Sequence, residues 1–474
     1  MNSATGNNNP NTKYVQNKTL QDVLSPLPDA KAPECLVFSD AQNSRLQHTC
    51  EFIFHTVFLI AYRVTTSIEE YKTHPGLKIN YSGHPLKEGI QISPHGLLGE
   101  KGLSEIKPDF LFDQGFLKAF VNTTNHSPTG MNYDVFAMVF YFISRYEEWQ
   151  KYEPDEHGRF GVQQSILFKY KTLQRPIVDL CLQELKEKLT GLFPDTPWPA
   201  TGAKLISTID VDNLYAFKGR PLWKTLAAGL RDGLKGDFKN LRNRWKVLTG
   251  KQKDPFDIYD EVPAFCEKTG IPLIFFFLYR NGTKYDRGLK PGTAGFTEVF
   301  RRLKRYTLTL GLHPSYYSSS EQGRIHRECL LLENHLGQNV VYSRQHFLRF
   351  NIRTTPQQLI QAGICADFSM GFSDTAGFRA GTSFPFRYYD FENEKSGDLH
   401  FVPFCIMDGA YSIHHKMGQE AIIKEMAAIA KDIKQGRGYF ISVFHERSFY
   451  DHLYPGFGTL YRELHLQIKA LLNS

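Results

Sequence analysis

The chain has 474 residues, about three times the ~150 residues of a common domain, so two domains are expected and one of them has the length for a large barrel. Its 41% hydrophobic, 22% charged and 14% aromatic content excludes collagen-like, mucin-like and coiled-coil classes and leaves little room for extensive disorder. A net charge of +7 is mild for this length and does not mark a nucleic-acid binder, so no nucleic-acid partner is expected.

The first 34 residues open on a polar run without the basic start and apolar core of a secretory signal, and they are expected to be a disordered leader. Residues 35–195 mix short apolar runs such as Phe52 to Tyr62 with turn-rich stretches such as Tyr81-Ser82-Gly83-His84-Pro85, the pattern of a small α/β unit. Within it, Phe136, Val139, Phe140 and Ile143 recur at helical spacing and predict one helix from Asn132 to Trp149, ending in the charged run Arg145-Tyr146-Glu147-Glu148. Three prolines between Phe193 and Pro199 disfavour any regular element, and the domain boundary is placed there.

From residue 200 to 474 the pattern changes to strands separated by helices. Strands are predicted at Lys204 to Ile209, Pro272 to Leu278, Thr307 to Leu312, Val340 to Ser343, Gly363 to Asp367, Phe401 to Ile406 and Tyr439 to Phe444. Such alternation implies a parallel sheet, and seven strands over this length favour a distorted (β/α) barrel preceded by the smaller α/β domain. The connection after the first of these strands is long. Residues 218–253 hold eleven Lys or Arg against Asp232 and Asp237, a net +9 that accounts for all of the chain's positive excess.

In that insertion Leu222, Leu226, Leu230, Leu234, Phe238, Leu241, Trp245 and Leu248 recur every three or four positions, with cations on the other face. Two readings stand: the apolar stripe packs on the barrel while the lysines face water, or it docks on an anionic membrane surface. The seven cysteines are scattered without a C-x-x-C pair, so neither a disulfide framework nor a cysteine zinc site is expected. Reduced thiols in a cytoplasm are expected, with a peripheral position at the inner membrane face if the insertion docks there.

Chemistry in parallel α/β folds collects where strands end. Six of the seven predicted ends carry carboxylate or imidazole: Asp210 and Asp212, His313, His346 with Arg344 beside it, Asp367, Asp408, and His445 with Glu446. Oxygen and imidazole donors, a carboxylate base and an imidazole acid are the parts of metal-assisted hydrolysis. Taken singly, each carboxylate reads as a helix cap before it reads as a ligand, and only the set taken together reverses that order. Asp286 reads as a turn residue, Asp367 and Asp408 as caps or supporting groups, and His84, His95, His126 and His157 as surface or loop residues.

Thr208-Ile209-Asp210-Val211-Asp212 resembles the first motif of the polysaccharide deacetylase (NodB-homology, carbohydrate esterase family four) superfamily. Leu312-His313-Pro314-Ser315, Ser343-Arg344-Gln345-His346-Phe347, Gly377-Phe378-Arg379-Ala380-Gly381-Thr382 and Phe444-His445 resemble the remaining signatures of a bacterial subgroup with an extra N-terminal domain. The resemblance implies a divalent metal, zinc foremost, and hydrolysis of an N-acetyl or O-acetyl group on an amino sugar of a cell-surface glycan or its precursor. It implies Asp210 as base, Asp212 and His313 as metal ligands, His445 as acid, and Arg344 or Arg379 orienting the base or neutralising charge near it.

This sequence departs from the family in one place. The usual second histidine of the metal site falls on Tyr317, a poor zinc ligand that is assigned here to substrate binding. His346 is expected to take its place. Arg379, between Gly377 and Gly381, has two readings, an anion or sugar-phosphate clamp and a brace at the rim. If His346 points elsewhere, the alternative is an inactive deacetylase-like carbohydrate-binding or membrane-docking scaffold.

Overall fold

The computed structural model describes residues 32–113, 116–122, 130–415 and 417–474. The expected leader lies almost wholly outside the described residues, and His126 lies outside them too. Among the described residues fifteen strands form three sheets. In the first third of the chain β1 (Glu34–Ser39), β2 (Ala61–Thr65), β3 (Leu77–Tyr81) and β4 (Ile90–Ile92) form a parallel sheet in the order β2-β1-β3-β4. A short antiparallel pair follows, β5 (Phe110–Asp113) with β6 (Phe116–Ala119).

The main sheet contains β7 (Lys204–Val211), β8 (Leu273–Phe277), β9 (Thr309–Leu312), β10 (Tyr342–Ser343), β11 (Ala366–Met370), β12 (Phe386–Asp390), β13 (Lys395–Pro403), β14 (Ile406–Met407) and β15 (Tyr439–His445). Its order is β12-β13-β11-β10-β9-β8-β7-β15-β14, parallel throughout except for β12 against β13. The sequence of β8, Leu-Ile-Phe-Phe-Phe, is buried at every position, as a strand covered on both faces must be. Two corrections to the expected barrel follow. The strands number nine rather than seven, and among the described residues no pairing joins β12 to β14, so the sheet does not close.

One continuous apolar core runs from Cys35 to Leu472 and takes in both large sheets. The structure therefore shows no separately packed unit for the region before Pro199. The helix Val135–Ile143 is buried on every side and sits inside this shared core. The single helix expected from Asn132 to Trp149 is instead broken at Arg145, whose φ of +55° starts a second short helix, Tyr146–Trp149. The charged run at the break is buried: Arg145 binds Glu147 at 2.9 Å and Glu148 at 2.8 Å.

Arg379 then completes the network from the other side. Its Nε and Nη2 donate to the two Glu148 oxygens at 2.8 and 2.6 Å, and it is 2% exposed. The reading of Arg379 as a substrate clamp is thus corrected: its guanidinium ties the loop before β12 to the first third of the chain. Gly377, with φ +135°, permits a close approach to its own chain rather than to a ligand, since a Cβ there would lie 2.5 Å from the Leu173 carbonyl oxygen.

Candidate metal centre

The parallel register brings the strand ends level. His445 is the ladder partner of Asp210, and one residue further on Val211, Phe277, Leu312 and Ser343 stand in one row across β7, β8, β9 and β10. His313 and Arg344 are therefore each the first residue past a strand of one row. Asp210 and Asp212, two residues apart at the end of β7, emerge on the same face.

Asp212, His313 and His346 converge, with one ligating atom of each within 4.8 Å of the others. The His313 Nδ1–H donates to the Arg344 carbonyl oxygen at 2.5 Å, and the His346 Nδ1–H donates to Asp286 Oδ1 at 3.0 Å. Both bonds fix the tautomer that leaves Nε2 as a lone-pair donor, the usual support of a metal-binding imidazole. The two Nε2 atoms lie 3.4 and 3.5 Å from Asp212 Oδ1. Tetrahedral bonds of about 2.1 Å put ligand atoms about 3.4 Å apart, so the spacing fits a common ion. The chemistry fits as well: Asp212 Oδ1 is buried without a hydrogen-bond partner, which is costly unless a cation satisfies it.

Around this triad the buried charges are arranged by sign. Burial opposes the charge on Asp212, but the Arg447 guanidinium on its Oδ2 and the His346 imidazole hold the carboxyl well below its usual range. Asp210 Oδ1 accepts from Arg344 Nη1 at 2.8 Å, while its Oδ2 lies 3.9 Å from His313 Nε2. Arg344 is itself fully buried and is held by Thr208 Oγ1 and the Phe368 carbonyl.

On the other side His445 Nδ1 pairs with Asp408 Oδ1 at 2.7 Å, and the Asp408 Oδ2 accepts the His445 backbone N–H at 2.7 Å. Burial would lower the His445 pKa, but Asp408 outweighs it and pushes the imidazole up to about 9. The His445 ring is thus charged at neutral pH, with Nε2 available to give a proton.

Three groups support the site in ways the sequence reading did not assign. Asp286, read as a turn residue, is fully buried, orients His346 and accepts the Tyr316 backbone N–H at 2.9 Å. Glu446 accepts the backbone N–H groups of Asp212 and Asn213, both at 3.0 Å, and so shapes the turn that presents Asp212. Burial and the neighbouring Asp212 charge raise it to about 8. Arg447 is the third. Its signal was visible, since Glu446 and Arg447 directly follow His445, whereas Asp286 lies in a long loop with no such cue.

Tyr317 does not reach the triad as a ligand. It stands half-exposed at the rim, beside Tyr316 and Tyr285, which stack with ring centroids 3.7 Å apart. Phe347, next to His346, joins them with φ +59°, a conformation costly for an aromatic residue. His157, expected to be a surface residue, belongs to this rim: its Nδ1 is 2.9 Å from the Tyr316 hydroxyl, and its ring packs on Phe347. Arg159 donates to the Phe347 carbonyl at 2.9 Å. A segment from the first third of the chain thus walls one side of the site.

Residues 35–194 match the model of a family of unknown function, DUF7033. A comparison with curated proteins returned no match. Solved structures similar to the chain include a protein of Mycobacterium smegmatis described as a polysaccharide deacetylase, at 15% identity and a TM-score of 0.38, covering 58% of this chain and 86% of that one. A family 4 carbohydrate esterase from Streptomyces lividans, in complex with acetate, matches at 8% identity and a TM-score of 0.28 over 56% of this chain and 91% of that one. A polysaccharide deacetylase from Bacillus cereus matches at 9% identity and a TM-score of 0.28 over 56% and 89%. At such identities and scores the chemistry of the site has to stand on its own side chains.

Proposed function

We propose that the chain is a metal-dependent hydrolase of polysaccharide-deacetylase type, which removes an N-acetyl or O-acetyl group from an amino sugar of a cell-surface glycan or its precursor. The observation that carries this reading is the Asp212-His313-His346 triad flanked by a carboxylate on an arginine, Asp210, and a charged imidazole on a carboxylate, His445. The triad would hold a divalent ion, zinc by its nitrogen and oxygen donors. Such an ion supplies Lewis acidity towards the acyl oxygen and acidifies water.

Asp210 takes the proton of the attacking water, with Arg344 fixing the carboxylate in place. Water oxygen bonds to the acyl carbon, the carbon–nitrogen bond of an N-acetyl group (carbon–oxygen for an O-acetyl group) breaks, and the His445 Nε2–H delivers its proton to the leaving amine or alkoxide. The products are acetate and a free amino sugar. The half-exposed faces of Tyr317 and Phe347 offer apolar rings on which the face of a sugar can rest.

Asp210→Asn tests the base directly. Acetate release from N-acetylglucosamine oligomers is expected to fall by a factor of about 10² or more, with zinc content unchanged. Unaltered turnover in that variant would remove Asp210 from its role.

One observation favours the second reading, an inactive glycan-binding scaffold: Arg447 already places a positive charge on Asp212. Metal analysis of the purified protein separates the two. Stoichiometric zinc lost on His313→Ala supports the hydrolase, and metal-free protein with retained glycan affinity supports the scaffold.

A further inference from the structure

The basic insertion folds as a hairpin of two helices, Leu222–Leu234 and Phe238–Leu248. Gly236 at φ +72° makes the turn, and the Asp237 side chain caps the second helix by accepting from the Asn240 backbone N–H. The hairpin leaves the body directly after the Asp212 turn, and Arg220 at its base reaches back to Asn213 Oδ1 at 3.3 Å.

Its inner face is held by polar contacts. Asp232 receives Arg244 at 2.6 Å and Asn240 at 2.9 Å, the Tyr450 hydroxyl is 2.8 Å from Asn240 Oδ1, and His452 is paired with Asp237 at 3.1 Å. Only Val247 enters a small apolar cluster, with Phe217, Phe256 and Tyr450.

The outer face is apolar and faces solvent, which corrects the reading that the stripe packs on the barrel. Leu222, Leu226, Leu230 and Leu234 form an i, i+4, i+8, i+12 line on the first helix, with Trp223 beside it. Phe238, Trp245 and Leu248 continue it on the second, and these eight side chains are 47–81% exposed. The cations Lys224, Arg231, Lys235, Lys239 and Arg242 of the same two helices are exposed as well.

A leucine and tryptophan stripe bordered by lysine and arginine matches the interface of an anionic bilayer, where apolar side chains enter the acyl boundary and cations meet headgroups. The net +9 of the segment opposes self-association through this face. A nucleic acid would satisfy the cations and leave the leucines in water.

We infer that the hairpin 222–248 is a membrane-surface anchor that docks the protein on anionic lipid and holds the strand-end site close to the bilayer. Flotation of the full chain with phosphatidylcholine vesicles, with and without phosphatidylglycerol, tests it independently of hydrolysis. Binding is expected only with phosphatidylglycerol and is expected to weaken with salt. Trp223 and Trp245 fluorescence should shift to the blue on binding.

Two variants alter only exposed positions. Leu226→Ser with Leu230→Ser should abolish the fluorescence shift. Lys239→Glu with Arg242→Glu should weaken partitioning by a factor on the order of 10². Absence of association with phosphatidylglycerol vesicles at low salt, or association unchanged in both variants, would overturn the inference. A vesicle-independent dimer dissolved by the leucine variant would also overturn it, giving the face to a second copy.

Discussion

At the residue scale, each proposed group works through a partner, and the partners are where predictions are sharpest. His445 is kept charged by Asp408, so its folded-state pKa lies above the ordinary histidine value. The stabilisation from this pair is fully present below about pH 6.5 and is lost as pH rises through about 9. A turnover that needs the charged imidazole should fall over the same alkaline range. Asp408→Asn is expected to move that alkaline limb down by about 1–3 units, read from kcat against pH.

Asp286 acts on His346 in the same manner. Asp286→Asn, which removes the charge but keeps the size, should weaken zinc affinity by about 10–100-fold in a competition with a chelator, and unchanged affinity would separate His346 from the ion. The ligands themselves were legible in the sequence because Asp212 and His313 directly follow a strand and His346 lies three residues past one. Asp286 was not, because its role depends on a loop folding back over β9, and nothing local encodes that return.

At the element scale, most strands of the main sheet were readable as apolar runs, but the expected strand Phe401 to Ile406 divides between the end of β13 and the start of β14, which lie towards opposite edges of the sheet, and β12 was not expected. The hairpin of β12 and β13 was read only in part. Its polar turn, Glu392-Asn393-Glu394-Lys395, and the alternating Lys395–Leu399 segment carry no run of apolar residues. The break at Arg145 was hidden for a different reason: the helical period continues through it, and the buried pairing of Arg145 with Glu147 and Glu148 overrides local preference.

Gly377 gives this scale its test. A side chain there meets both a φ of +135° and the Leu173 carbonyl, so Gly377→Ala should lower stability by about 1–3 kcal/mol, visible as an earlier urea midpoint. An unchanged midpoint would mean the loop before β12 can shift away from Leu173.

At the scale of the whole molecule, closure of the main sheet was the property that sequence alone did not deliver, because it depends on long-range pairing. The two large sheets share one core, and a buried network of Arg145, Glu147, Glu148 and Arg379 spans them. Arg379→Met leaves Glu148 with Arg145 alone and should cost about 3–5 kcal/mol in urea unfolding, with KM for the proposed hydrolysis unchanged in the folded protein. A raised KM at unchanged stability would return Arg379 to substrate binding. The ladder pairing of His445 with Asp210 has a wider consequence. The proposed proton donor and acceptor ride on adjacent strands, so their spacing is inherited from the backbone, about 4.8 Å from strand to strand. The surrounding connections are free to lengthen or be exchanged as the glycan changes. Diversification of such a protein would rewrite its periphery while the proton-transfer pair stays in place.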